Sequence, residues 1–236
     1  MRFLIICLFS LSTLNGVSQD GHFVFSAGVN TSLGGYDSLN FVIDRYNETR
    51  SWLEKEMKNI KALDGEYLSV QYGVGKVFIG FDIALRDKKR FAEGTDATNQ
   101  LMRRQIKASM NTFGISAGIG VVDDATPLFV GAGVRADFGK FKVKTRVYAV
   151  DGDKGNWIKA VDELNASVSI FLRVVISNPG ILIEPSYSFG FNAIKPDVVG
   201  LNEAINPVTA PADPSSMNSN YNYFGIKVGI AFLGGA

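Results

Sequence analysis

The chain carries one cysteine, one histidine and seven prolines in 236 residues, and its charges almost cancel, leaving a formal +1. The cysteine, Cys7, lies inside an apolar run near the amino end, so the remaining chain can build no disulfide framework, thiolate nucleophile or Cys-based metal site. The balanced charge provides no basic excess of the kind nucleic-acid binding requires. No apolar run reaches the roughly 20 residues of a membrane-spanning helix, and there is neither an internal repeat nor a coiled-coil heptad. What is plentiful is glycine (25), phenylalanine (17) and tyrosine (8), a composition that leans toward aromatic, glycine-rich strands.

The first residues, MRFLIICLFSLSTLNGVSQD, place Arg2 before the apolar run Phe3 to Leu11 and then a polar stretch with small residues. This predicts a secretory signal peptide over 1–18, cut after Ser18. Its removal takes Lys+Arg from 24 to 23 against 23 Asp+Glu, so a processed chain of 218 residues (236 minus 18) is formally neutral.

Period-two alternation predicts eight strands, at about 22–30, 66–74, 76–87, 102–122, 127–149, 162–176, 181–193 and 221–233. The third is the cleanest, with Val77, Ile79, Phe81, Ile83 and Leu85 on one face and Phe78, Gly80, Asp82, Ala84 and Arg86 on the other. The apolar faces run without charge for the 9 to 11 or so residues that a tilted strand needs to cross a bilayer. In the fourth strand the apolar phase changes near Thr112, which predicts a bulge or an upper half standing clear of lipid. Short connections (YGVGK, VDDATP, SNPG) alternate with long ones at 31–65, 88–101, 150–161 and 194–220, as in an up-and-down barrel with turns on one side and loops on the other. A hairpin at DFGKF would split the fifth stretch and make nine strands; parity favours one long, protruding strand. In hydrocarbon every backbone polar group must be paired internally, so the last strand has to close on the first. Phe224, Ile226, Val228, Ile230 and Phe232 form the lipid face of that closing, insertion-directing strand, YNYFGIKVGIAFLGGA.

This pattern of leader, eight alternating strands and a terminal apolar strand reaching Phe232 resembles the small eight-stranded outer-membrane barrels of the OmpX, OmpA-barrel and OmpW kind. The resemblance covers the whole processed chain and is architectural. It implies an all-β, eight-stranded antiparallel transmembrane barrel, 19–236, in the outer membrane of a Gram-negative bacterium. Barrels of that kind usually end on the aromatic residue, whereas LGGA follows Phe232 here.

Eight strands enclose room for side chains or a small ligand, not an aqueous channel. The predicted lumen holds Asp82, Asp137 and Glu184 with Arg86, Arg135, Arg173 and Lys227, either a polar plug or a proton or ion path. Inward glycines such as Gly80, Gly131, Gly133, Gly225 and Gly229 suit a crowded interior. The first loop has Leu39, Val42, Ile43, Tyr46, Leu53, Met57, Ile60 and Leu63 near helical spacing, with Asp37 or Ser38 as cap. Such a helix, in one or two segments, either folds over its own barrel mouth or docks on a partner or the membrane interface, which Trp52 and Lys55, Lys58 and Lys61 would suit. The last loop, with four of the seven prolines, is expected to lack regular structure.

Motifs for catalysis and cofactors fail on inspection. His22 starts the first strand, far from the outer rim where barrel hydrolases keep a general base. GAGVRA at Gly131 fits a dinucleotide fingerprint but precedes no helix. DGDKGN at Asp151 gathers two carboxylates and an amide without the distal glutamate of a calcium loop. The sequence therefore predicts no enzyme, cofactor or metal. It predicts a barrel whose partners are outer-membrane lipid and another envelope protein; the alternative is an OmpW-like transporter of hydrophobic solutes.

Overall fold

A computed structural model describes residues 21–123, 128–177, 179–191, 198–206 and 222–234. The expected leader, 1–18, and most of the Pro-rich stretch 194–220 lie outside the described residues. The strands are β1 (Gly21–Leu33), β2 (Leu53–Lys55), β3 (Ala62–Val74), β4 (Val77–Thr95), β5 (Leu101–Asp123), β6 (Leu128–Ala149), β7 (Ile158–Ser177), β8 (Gly180–Gly190) and β9 (Tyr223–Gly234). All pair antiparallel, in the order β4-β3-β1-β9-β8-β7-β6-β5, and β5 returns to β4, so eight strands close a barrel while the three-residue β2 flanks the top of β4. The closing seam runs from Phe23↔Gly234 to Leu33↔Phe224, which leaves neither end strand with a free edge.

The outer face of the lower barrel is apolar and uncovered. On β4, Val77, Ile79, Phe81, Ile83 and Leu85 are 40–62% exposed, and on β9 Phe224, Val228, Ile230 and Phe232 are 40–60% exposed, with Ile226 half-buried. Nine residues at about 3.3 Å each, tilted by about 40°, rise about 20–25 Å, the height of the apolar band on a membrane barrel. A sheet with such a girdle would aggregate in water and is at home in a bilayer. This is a transmembrane β-barrel.

Above the girdle the strands continue, and their polarity inverts. On β5, Phe113, Ile115 and Ile119 face outward while Thr112 and Ser116 face the lumen; higher on the same strand, Ile106, Ala108 and Met110 face inward, fully buried. The pairing of β5 with β4 and β6 runs unbroken through Thr112, so no bulge causes the change of phase. The strand keeps its register and the surroundings change: lipid lies outside below, whereas above it the outside is water and the inside is a protein core. β6 shows the same inversion, from outward Val130, Val134 and Phe138 to outward Lys140, Lys142 and Lys144 with Phe141 and Val143 buried within. The β6–β7 pairing shows a register shift in this region, between Val143 and Lys144.

Two connections differ from expectation. The loop expected at 88–101 is mostly strand: β4 runs to Thr95 and β5 starts at Leu101, joined through a turn in which Asp96 accepts from Thr98 and Gln100. The loop expected at 150–161 is shortened in the same way by β7 starting at Ile158. Charged residues such as Lys88, Lys89 and Arg90 read as loop by composition, but outside the membrane a strand tolerates them on either face, and all three are half-buried or exposed. At the other end, β3 and β4 are joined by Gly75 and Lys76 alone, and Gly75 takes the positive φ (58°) of a two-residue hairpin.

The first loop folds as one helix, Asp37–Glu48, followed by an extended segment. Tyr36 rather than Asp37 or Ser38 is its N-cap; Asp37 sits in the first turn and Arg45 in the last, both favourable to the helix dipole. A second helical segment through Leu53, Met57 and Ile60 does not form. Asn40 and Asn47 explain why: Asn47 donates to the Met57 carbonyl (2.9 Å) and accepts from its N–H (3.0 Å), and Asn40 does the same for Ile60 (3.0 and 2.8 Å). Seven residues of helix span about 10.5 Å, and three residues of extended chain span about 10 Å, so two amides two turns apart match an extended segment.

A short helix, Val199–Ile205, lies within the stretch expected to lack regular structure. The prolines flank it at Pro196 and Pro207, and Val198, Leu201 and Ile205 share one face at helical spacing, all fully buried. Arg50 fixes its far end by donating to the Ile205 carbonyl (2.5 Å) and to Asn206 Oδ1 (3.0 Å).

Candidate functional site

The lumen is filled in layers. Nearest the short-turn end, Phe78 packs against Phe129 and Phe171 at centroid distances of 5.9 and 6.2 Å, with Val24, Val175 and Leu182 buried around them. The inward glycines admit these rings: a Cβ on Gly131 would stand 2.9 Å from the Phe129 ring, and one on Gly133 2.8 Å from that of Phe171. His22 lies in this floor, its ring 5.9 Å from Phe129, at the end opposite the loops.

Above the floor sits a knot of charge. All seven residues assigned to the lumen by alternation, Asp82, Arg86, Arg135, Asp137, Arg173, Glu184 and Lys227, are buried, at 0–5% exposure, and six of them form one ion-pair network. Glu184 is its centre, accepting from Arg135 Nη1 (2.7 Å), Arg173 Nε (2.6 Å) and Lys227 Nζ (2.9 Å). Lys227 also reaches Asp82 (2.5 Å), and Arg135 reaches Asp137 (2.9 Å). Neutral side chains complete the network: Arg173 donates to Gln71 Oε1 (2.6 Å), and Ser169 donates to Asp137 (2.7 Å). Three cations and three carboxylates drawn from five strands thus tie opposite walls together. Gln71 and Ser69 escape a reading of the sequence because uncharged residues on a lumen face carry no signal beyond the period itself.

The mouth is closed by an apolar cap. Leu39, Val42, Ile43 and Tyr46 of the first helix, Met57 and Ile60 of the extended segment, and Leu63 are buried against Ile106, Met110, Phe141 and Val143 from the protruding strands and against Val198, Leu201 and Ile205. Of the residues expected to present a partner-binding helix face, Leu39, Val42, Ile43, Tyr46, Met57 and Ile60 are therefore spent on the protein's own mouth; Leu53 is half-buried and only Trp52 stands out, at 45% exposure. The physical reason is proximity: an apolar helix face tethered beside an apolar inner wall buries itself there before any second molecule arrives.

The outer wall above the membrane carries a different pattern, a row of cations stacked on aromatic rings. Lys55 stands 4.2 Å and Arg103 4.8 Å from the Phe91 centroid, and Arg146 stands 4.3 Å from Trp157 and 5.2 Å from Tyr148. Glu93 pairs with Arg103, and Gln105 accepts from both Arg146 Nε (3.0 Å) and Nη2 (2.7 Å). Below this row the lysines of β6 and β7 begin, with Asp162 shared between Lys159 (2.9 Å) and Lys140 (3.7 Å). Lys159 holds the Asp162 carboxyl below the usual carboxylate range by its hydrogen bond, and Lys88 does the same to Asp64. Among the described residues no group of three or more His, Cys, Asp or Glu side chains could hold a metal.

No family of known proteins and no curated protein matches the chain. Among solved structures it is similar to Ail, the attachment invasion locus protein of Yersinia pestis, determined alone and in complex with the heparin analogue sucrose octasulfate. The similarity to the complex has a TM-score of 0.38 at 12% identity, and that to the protein alone 0.36 at 11%; each covers 90% of this chain and 99% of Ail.

Proposed function

We propose that this protein is a non-enzymatic outer-membrane barrel of a Gram-negative bacterium, acting as a structural or partner-binding subunit of a cell-envelope assembly through its protruding, loop-bearing end. In this reading the leader at 1–18 directs export, the short turns face the periplasm and the tall end faces outward. The observation that carries it is the cation-and-aromatic row on the outer wall. Arginine, tryptophan and tyrosine are the residues on which protein interfaces concentrate their binding energy, and here Arg103, Arg146 and Tyr148 stand on strands above the lipid, with Trp157 immediately before β7. Exposed Trp52 extends the row toward β2. The partner surface is thus this wall and not the apolar face of the first helix. A hydrophobic solute crossing the barrel would have to displace the cap, the ion network and the aromatic floor in turn.

The test is purification of the full chain from its own membranes in mild detergent, with identification of what accompanies it. Trp52→Ala and Arg146→Ala, each on the wet side of the wall, are expected to release the accompanying protein while the barrel keeps its folded gel mobility. Elution alone, or a complex unchanged by both substitutions, overturns the reading.

A further inference from the structure

We infer that Arg86 holds a small monovalent anion of the halide class inside the barrel, in a polar layer between the ion network and the apolar cap. Charge and hydrogen bonding lead to it separately. Among the described residues the buried charges number four cations and three carboxylates, a net +1. All three carboxylates are engaged by others: Asp137 by Arg135, Glu184 by Arg135, Arg173 and Lys227, and Asp82 by Lys227 and Arg173. Arg86 is the surplus cation. It is 5% exposed, its Nη2 donates to Thr112 Oγ1 at 3.0 Å, and its guanidinium carbon stands 5.3 Å from the Tyr223 ring centroid. Its Nε and Nη1 have no hydrogen-bond partner among the described residues.

The surroundings supply further polar groups. Among the described residues the Tyr223 hydroxyl and, on β7, both amide atoms of Asn165 and the Ser167 hydroxyl are buried without hydrogen-bond partners. The register brings them near: Thr112 lies opposite Gly139, and Gly139 opposite Asn165. Arg86 itself lies opposite Gly65. Gly65 and Gly139 are glycines because the neighbouring strands pass close: a Cβ would stand 1.7 Å from the Leu85 carbonyl oxygen at Gly65 and 1.9 Å from that of Asn111 at Gly139.

Water would satisfy the hydrogen bonds but leave the charge, and a buried unpaired charge is the costlier defect. One monovalent anion closes the count at 4 − 3 − 1 = 0, whereas a divalent anion overshoots it. The cap above and the network below leave no way in for a bulky organic acid. An anion trapped there is acquired as the cap folds.

The experiment is to refold the full chain from urea into detergent micelles in bromide, chloride or gluconate at fixed ionic strength. Bromide and chloride are expected to raise the thermal midpoint of the cap and barrel in a saturable way, gluconate is not, and Arg86→Met is expected to abolish the dependence. Crystals of the unaltered protein grown from the bromide refold are expected to show anomalous density within hydrogen-bonding reach of Arg86 Nε or Nη1; this arm requires no variant to fold. A midpoint indifferent to the anion, an equal response in Arg86→Met, or water alone beside Arg86 in the bromide crystals overturns the inference.

Discussion

Glu184→Gln removes the carboxylate on which three cations converge while keeping its shape. At the 2.6–2.9 Å separations observed, one unit pair at an effective dielectric constant near 20 attracts with about 6 kcal/mol. Most of that is offset by the cost of taking the charges out of water, and breaking a buried pair from one side leaves a net loss of about 3–5 kcal/mol. The substitution raises the buried charge from 4 − 3 = +1 to 4 − 2 = +2, so Arg135, Arg173 and Lys227 repel one another across the lumen. Adding Arg173→Met to Glu184→Gln restores +1 and is expected to recover stability, a coupling of more than about 1 kcal/mol in a double-mutant cycle. The assay is equilibrium urea unfolding in lipid vesicles followed by far-ultraviolet circular dichroism. Tryptophan fluorescence is unsuitable for the barrel, because Trp52 and Trp157 both lie in the protruding end. A loss below about 1 kcal/mol for the single variant, or a double variant no better than the sum of its parts, would refute the claim that this network fastens the walls together.

Other outcomes follow from the layered design. Val134→Arg, on the lipid face of β6 at 53% exposure, should cost about 2–4 kcal/mol in vesicles, whereas Lys142→Ala, eight residues higher on the same strand, should cost little; equal effects would contradict the placement of the membrane. Ile43→Ala, fully buried in the cap, should destabilise the cap by about 2–5 kcal/mol and open the first loop to proteolysis while the strands stay folded, and a loop that remains protected would show that the cap is not built as described. Lys88 and Lys159 lower the carboxyl pKa values of Asp64 and Asp162 in the folded state. Their contribution is therefore complete above the unfolded value, near pH 4, and fades as pH falls through the lower folded value. Proteolysis of the outer end should thus quicken only as pH falls below about 4 and not between pH 7 and 5, with Asp64→Asn/Asp162→Asn abolishing the change.

The period of two was enough to assign which residues face lipid and which face the lumen. That alternation is fixed by the pleat, so Val77 to Leu85, Phe224 to Phe232 and the seven lumen charges could be placed on a face before any coordinates. Closure followed as well, since unpaired backbone is intolerable in hydrocarbon. The phase change at Thr112 signalled that something altered there, but period alone could not tell a bulge from a change of surroundings. Loop against strand at 88–95 was equally undecidable, because charged residues suit both once a strand leaves the membrane.

What the sequence by itself determined is the part governed by local geometry and a uniform solvent: a closed, lipid-facing cylinder with a charged interior. Only the tertiary structure decided the rest, because it depends on which distant groups meet. Asn40 and Asn47 hold an extended segment where helical spacing suggested a second helix. The first helix turns its apolar face to Ile106, Met110 and Phe141 instead of to a partner. Glu184 gathers three cations and leaves Arg86 without a carboxylate among the described residues. Alternation fixes the side a residue faces, but long-range pairing energies of a few kcal/mol select its neighbours, and those energies exist only once the walls have been brought together.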